Sequence, residues 1–70
     1  MKIYVVEYRF LVDKEHGIWS SKLSQEGYSK LEDAQAYIES RVGLPVKCSN
    51  FYYQTSTFEE YYIHNILIKE

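Results

Sequence analysis

The stretch Ile3-Tyr4-Val5-Val6-Glu7-Tyr8-Arg9-Phe10-Leu11-Val12 alternates with a period of two, and its reading decides the fold class. In an extended chain Tyr4, Val6, Tyr8, Phe10 and Val12 fall on one face, and Ile3, Val5, Glu7, Arg9 and Leu11 on the other. Both faces carry apolar residues. Immediately after it, Asp13 to Gly17 is polar, opens on a residue suited to an Asx turn and closes on a glycine that accepts positive φ. This predicts a hairpin loop of about five residues. The chain then returns through Ile18 to about Ser24. That second strand has little to bury beyond Ile18, Trp19 and Leu23. It suits a sheet edge, where Ser20, Ser21, Ser24 and above all Lys22 discourage unwanted pairing.

Further along, Ser29-Lys30-Leu31-Glu32 fits a capping box, which predicts a helix starting at Lys30. Leu31, Ala34, Ile38 and Val42 form an apolar stripe with Tyr37 beside it, opposite Glu32, Asp33, Gln35, Glu39 and Arg41. Gly43 suits the left-handed residue after the helix, Leu44 would fold back on the last turn, and Pro45 forbids continuation. The last third is less regular. Phe51-Tyr52-Tyr53 is a short strand-like run, and Thr55-Ser56-Thr57 reads as a turn. From Phe58 to Ile68 two readings compete. Thr57-Phe58-Glu59-Glu60 also fits a capping box, but Tyr61, Tyr62, Ile63, Ile66 and Ile68 favour a strand, and no helical polar face is present. The expected architecture is one α+β domain spanning residues 1–70, in ββαβ or ββαββ order, with the helix on one face of a mostly antiparallel sheet.

Seventy residues allow a single domain. At this size roughly 60% of the unfolded surface is buried, so the monomer is expected to be marginal. Small domains compensate with disulfides, a metal or oligomerisation. Cys48 is the only cysteine, and His16 and His64 belong to no Cys-x-x-Cys or His-x-x-x-His spacing, so no metal or other cofactor is expected. Oligomerisation remains. The start Met1-Lys2 leads straight into the strand without a signal-peptide pattern, and no run approaches the ~18 apolar residues of a membrane span. The expected location is the cytoplasm, which suits a lone thiol. Eight Lys and Arg against ten Asp and Glu give a net charge of -2. With no basic run, nucleic acid is a disfavoured partner.

No catalytic constellation emerges. His64 lies in an aromatic-apolar segment with no second ligand or nucleophile in spacing relation to it, and reads as a polar residue on the open side of a strand. His16 falls in the hairpin loop and reads as solvated. Cys48 has Lys47, Ser49 and Asn50 as neighbours but no recognisable motif, so it reads as a structural or incidental thiol. Glu59 and Glu60 are adjacent, and on a strand they point to opposite faces. Gly17, Gly27 and Gly43 are isolated rather than part of a phosphate-binding loop. The expectation is a protein that is not an enzyme.

The aromatic content does call for explanation, with eight Tyr, three Phe and one Trp in the chain. Tyr4 and Tyr8 alternate with Val6 and Phe10 and read as core beneath the helix. A lone helix about 10 Å across covers roughly two strands, and on one face only. Ile3, Val5 and Leu11 are then left uncovered. The last strand is apolar on both sides, with Tyr61, Ile63 and Leu67 alternating with Tyr62, Ile66 and Ile68. Such a surface marks an interface. The candidate residues are Ile3, Val5, Leu11, Tyr61, Tyr62, Ile63, Ile66 and Leu67, and the expected partner is a second copy of the chain. A single-stranded nucleic-acid platform built on exposed Tyr and Trp is the alternative. Against it, Lys2, Arg9, Lys14 and Lys22 are interleaved with Glu7, Asp13 and Glu15.

The segments KIYVVEYRFLV (2–12), SKLEDAQAYIESRVG (29–43) and EEYYIHNILIK (59–69) together make a layout that resembles a small family of prophage proteins known as Yopt, homodimers of one helix and three strands. The resemblance implies a dimer from a bacterial or phage genome; the expected function is a non-catalytic interaction protein, a small phage or prophage accessory factor that binds a host or phage protein. The resemblance carries no site residues across. A further strand at Phe51 to Tyr53 departs from its three-strand pattern.

Overall fold

A computed structural model describes residues 1–41 and 45–68. Five strands and one helix follow one another as β1 (Lys2–Asp13), β2 (Ile18–Leu23), α1 (Leu31–Glu39), β3 (Val46–Ser49), β4 (Tyr52–Ser56) and β5 (Glu59–Leu67). They form a single sheet in the order β2-β1-β5-β4-β3, with every neighbouring pair antiparallel. Two local units, the β1-β2 hairpin and the β3-β4-β5 meander, are joined where the first strand meets the last. Nine residue pairs from Lys2↔Leu67 to Phe10↔Glu59 make that seam. The helix links the two outer edges of the sheet and lies across one face on the way.

Partners across an antiparallel ladder share a face, so the register assigns every side chain. The Val6↔Ile63 and Tyr8↔Tyr61 pairs, with Tyr53 opposite Tyr61, face the helix. There they meet Ala34 and Ile38; among the described residues Val6, Ala34, Ile38, Tyr53, Tyr61 and Ile63 are the buried core. Tyr4, Tyr8, Tyr28, Leu31 and Tyr37 pack around it. Tyr8 lies 4.9 Å from the Tyr61 ring and 5.2 Å from Phe10, centroid to centroid. The Tyr53 hydroxyl emerges from the core to donate to Glu39 Oε1 at 3.1 Å, so the last turn of the helix is tied to β4.

The hairpin forms as its sequence predicts. Asp13 Oδ1 accepts from the Glu15 and His16 amides at 3.0 and 3.3 Å, and Gly17 has φ of 64°. β2 is an edge strand with every residue exposed. Residues 59–67 are strand, not helix. Glu60 faces Arg9 on the neighbouring β1, on the opposite side of the sheet from Glu59, as adjacent strand residues must.

Four details differ. The helix begins at Leu31, with Lys30 as its extended cap residue and no side-chain capping bond, so the Ser29 capping box does not form. The cause is upstream: Tyr28 exchanges backbone hydrogen bonds of 2.7 and 2.8 Å with Tyr4, and Ser29 and Lys30 are used in climbing from the sheet to the helix. Glu32 and Asp33 in the first turn supply the negative charge that complements the helix dipole. Secondly, the helix runs for nine residues instead of about 12; Val42, Gly43 and Leu44, the predicted end of the stripe and the cap, lie outside the described residues. Thirdly, β3 is an additional strand, so the order is ββαβββ. Fourthly, Thr55 and Ser56 belong to β4, and the turn falls at Thr57 and Phe58, where Ser56 Oγ accepts from the Phe58 amide at 3.1 Å.

Three tyrosines are held in their neutral form. Burial, with Glu59 beside the hydroxyl, pushes Tyr8 up to about 12. Burial and the bond to Glu39 do the same for Tyr53, again to about 12. Tyr52 reaches about 12 because its hydroxyl donates to Glu60. These phenols ionise later in the folded chain than in the unfolded one, where the ordinary value is 10.0. Their contribution to stability is therefore complete below pH 10 and is lost as pH rises through about 12. Absorbance titration at 295 nm is expected to show these three still protonated at pH 11, with alkaline unfolding releasing them together. A single wave centred near 10 would contradict this.

Candidate interaction site

The face of the sheet opposite the helix is built from alternate residues of all five strands. Across its middle runs a row in which Arg9 is the hub. Its Nη1 lies 3.0 Å from Glu60 Oε1, and its guanidinium sits over Trp19 on one side at 5.7 Å and Tyr62 on the other at 5.5 Å. Such cation–π contacts hold the long side chain flat on the sheet. Tyr62 stacks on Tyr52 with ring centroids 4.7 Å apart, and Tyr52 donates to Glu60 Oε2 at 2.9 Å. Trp19, Arg9, Tyr62 and Tyr52 therefore form one aromatic–cationic band from β2 to β4, with the charge of Arg9 balanced by Glu60.

A second polar pair adjoins the band. His64 Nε2 is 2.8 Å from Glu7 Oε1, and that bond is the largest influence holding the Glu7 carboxyl below its ordinary value, ahead of the opposing effect of burial and the support of Ser21. In this arrangement the carboxylate, not the imidazole, lies next to the serine hydroxyl.

Around these polar groups lie the apolar members. Ile3 pairs with Ile66, Val5 with His64, and Leu11 with Trp19. Val46, at 66% exposed, Leu23, at 64%, and Ile66, at 45%, are the most exposed large apolar residues on this face. Of the residues marked in the sequence, Ile3, Val5, Leu11, Tyr62 and Ile66 share this face. Tyr61 and Ile63 do not: the β1–β5 register turns them to the helix, where both are buried in the core. Leu67 also points to the helix side, but beyond the helix's reach, and is exposed. The face is open yet amphipathic rather than uniformly apolar, because Glu7, Arg9, Glu60 and His64 occupy its centre.

Trp19, Leu23, Arg9, Glu60 and Tyr52 were not among the marked residues. Trp19 and Leu23 are two strand periods apart, which is the signal that they share a face; which face follows only from their pairing with Leu11 and Glu7.

The remaining reactive groups are dispersed. Cys48 is exposed on β3, at the outer edge of the sheet. Asp13, Glu15 and His16 gather their ligand atoms within 4.8 Å at the hairpin tip; there Asp13 serves the turn through one oxygen and His16 Nδ1, at 2.8 Å, through the other. Among the described residues no helix is long and apolar enough to cross a membrane.

Fold and face together define a small α+β domain whose five-stranded sheet is covered by a helix on one side and carries an open aromatic band on the other. No protein-family model matches the chain, and comparison with curated proteins and with solved structures finds no match either.

Proposed function

We propose that this chain is a non-catalytic interaction protein that works as a homodimer through the helix-free face of its sheet. The observation that carries the reading is the band of Trp19, Arg9, Tyr62 and Tyr52 flanked by Leu23 and Ile66, with no element of the described chain packed over it. Aromatic residues and arginine at the centre, with apolar neighbours, are the composition of interface hot spots. Surface area supports it. The chain exposes 5098 Å², against about 4,600 Å² for a compact monomer of its mass. Its radius of gyration of 12.8 Å likewise exceeds the roughly 11 Å expected for a compact chain of this length. The excess of about 500 Å² is of the order of the ~800 Å² each partner contributes to a standard interface. A second copy suits the face because its polar groups are already paired within the subunit, Arg9 with Glu60 and His64 with Glu7, so two such faces can meet about a two-fold axis without like-charge repulsion. The resemblance to prophage proteins supports a setting in a bacterial cytoplasm, as a phage accessory factor that binds a host or phage protein.

Light scattering of the purified chain at micromolar concentration is expected to give twice 8.4 kDa. The double variant Trp19→Glu, Ile66→Glu is expected to give the monomer mass with an unchanged circular-dichroism spectrum, since both side chains are exposed. A wild-type chain that stays monomeric, or a dimer that tolerates both glutamates, rejects the reading.

The spacing of Trp19, Tyr62 and Tyr52 across the sheet also favours base stacking, as in sheet-based binders of single strands. Charge weighs against it, since Glu60 already neutralises Arg9 and Glu7 lies beside the band. Quenching of Trp19 emission by single-stranded oligonucleotides at low salt would favour this second reading.

A further inference from the structure

On the other side of the sheet the helix leaves part of its own face uncovered. It is fastened towards β3 and β4, by Tyr53 to Glu39 and by Gln35 Nε2 donating to the Asn50 carbonyl at 3.0 Å. Towards β2 the sheet presents Ser20 and Lys22, paired with Phe10 and Tyr8, and these side chains do not fill the space beside the helix. The result is a cleft of about 530 Å³, within the ~300–1,000 Å³ range of small-molecule sites.

Its floor is Val6, Tyr8 and Tyr61. One wall is aromatic: Tyr28 and Tyr37 lie 5.9 Å apart between centroids, and the guanidinium of Arg41 covers the Tyr37 ring at 5.2 Å. Lys22 approaches from the β2 side. The charged residues lining the cleft are Lys22, Arg41 and Glu26, which leave one net positive charge. A smaller hollow continues past Arg41 towards Glu59, but that carboxylate lies against the Tyr8 hydroxyl. Arg41 lines the cleft beside Tyr61, and a guanidinium has five donors, more than the Tyr61 hydroxyl can engage.

The geometry points to this cleft as a binding site for a small flat aromatic body bearing a single carboxylate. The Tyr28 and Tyr37 rings, already in mutual contact, form one aromatic wall against which a planar apolar group can pack. The planar fork of Arg41 matches a carboxylate in a bidentate pair. The net positive lining favours an anion, and a monoanion balances it. Burial raises the Tyr28 phenol above its ordinary value, so it remains a neutral donor at working pH.

The test uses the full-length chain and 2-naphthoate as the probe, followed by nuclear magnetic resonance. Ring signals of Tyr28 and Tyr37 are expected to shift saturably at millimolar ligand while the indole N–H of Trp19, on the opposite face, does not move. The isosteric neutral amide, 2-naphthamide, is expected to bind about tenfold more weakly, as is naphthoate to Arg41→Gln, the effect of losing one charge-assisted pair. Arg41 is exposed, and the amide arm needs no variant at all. No saturable shift, equal binding of acid and amide, or a shift confined to Trp19 overturns the inference. None of these outcomes bears on whether the open face forms a dimer.

Discussion

Tyr53→Ala is expected to destabilise the domain by about 3–5 kcal/mol, the cost of removing a buried aromatic ring from a core that cannot collapse around the gap. Tyr53 is fully buried and is the largest of the completely enclosed side chains, alongside Ile38 and Val6. It stands where the β4–β5 ladder meets the helix, opposite Tyr61 and bonded to Glu39. Among the described residues six make up the buried core, so few large groups there can move in. A chain of this length has a total stability of roughly 4–10 kcal/mol. The alanine variant should therefore lie at or beyond the edge of folding at 25 °C. Tyr53→Phe separates ring from hydroxyl: it keeps the packing and gives up one bond to a carboxylate, at about 1–2 kcal/mol. Urea titration followed by circular dichroism measures both. A Tyr53→Ala midpoint close to that of Tyr53→Phe would show that the ring contributes little.

Gly27→Ala is expected to destabilise by about 1–3 kcal/mol, as overpacking does, and so to lower Tm by roughly 4–8 °C per kcal/mol for a domain of this size. The reason lies in close approach, not in backbone strain. A Cβ at position 27 would collide with the Cγ2 methyl of Ile3. That methyl sits on a β-branched carbon with a stiff χ1 and cannot swing away at small cost. The two Tyr4–Tyr28 hydrogen bonds hold the segments together beside the contact, so the backbone cannot easily withdraw. The partner experiment is Ile3→Ala, which removes the offending methyl. Combined with Gly27→Ala, it should cost less than the sum of the two single changes in a thermal-melt cycle. Strict additivity would mean that the loop at residues 25–27 relaxes independently of the strand. The same contact explains why Ile3, marked from sequence as an open interface residue, is half-buried.

Most of what was legible in the sequence is local. The alternation of Ile3 to Val12, the Asp13 to Gly17 turn and the apolar stripe of Leu31, Ala34 and Ile38 each depend on neighbours within a few residues, and each appears as read. β3 was not legible because all four of its residues are exposed. An edge strand with both faces wet leaves no hydrophobic period to detect, and the register shift between Lys47 and Ser49 disturbs what alternation exists. The Ser29 capping box was locally sound but lost to a tertiary constraint, the pinning of Tyr28 to Tyr4. Adjacent tyrosines show the limit most clearly. Period two requires Tyr52 and Tyr53, and likewise Tyr61 and Tyr62, to face opposite ways, but it does not say which of each pair goes inward.

The sequence by itself determined that this is one α+β domain with a hairpin, a one-sided helix and more aromatic surface than that helix covers, because these follow from composition and short-range periodicity. The tertiary structure alone decided which aromatics form the core and which form the open band. That choice rests on the register between β1 and β5, strands from opposite ends of the chain. A slip of one residue there would exchange the faces of every side chain on the strand that moved. The same register brings Arg9 beside Glu60 and Glu7 within reach of His64, and so gives the uncovered face the polar centre that a count of its apolar residues did not reveal.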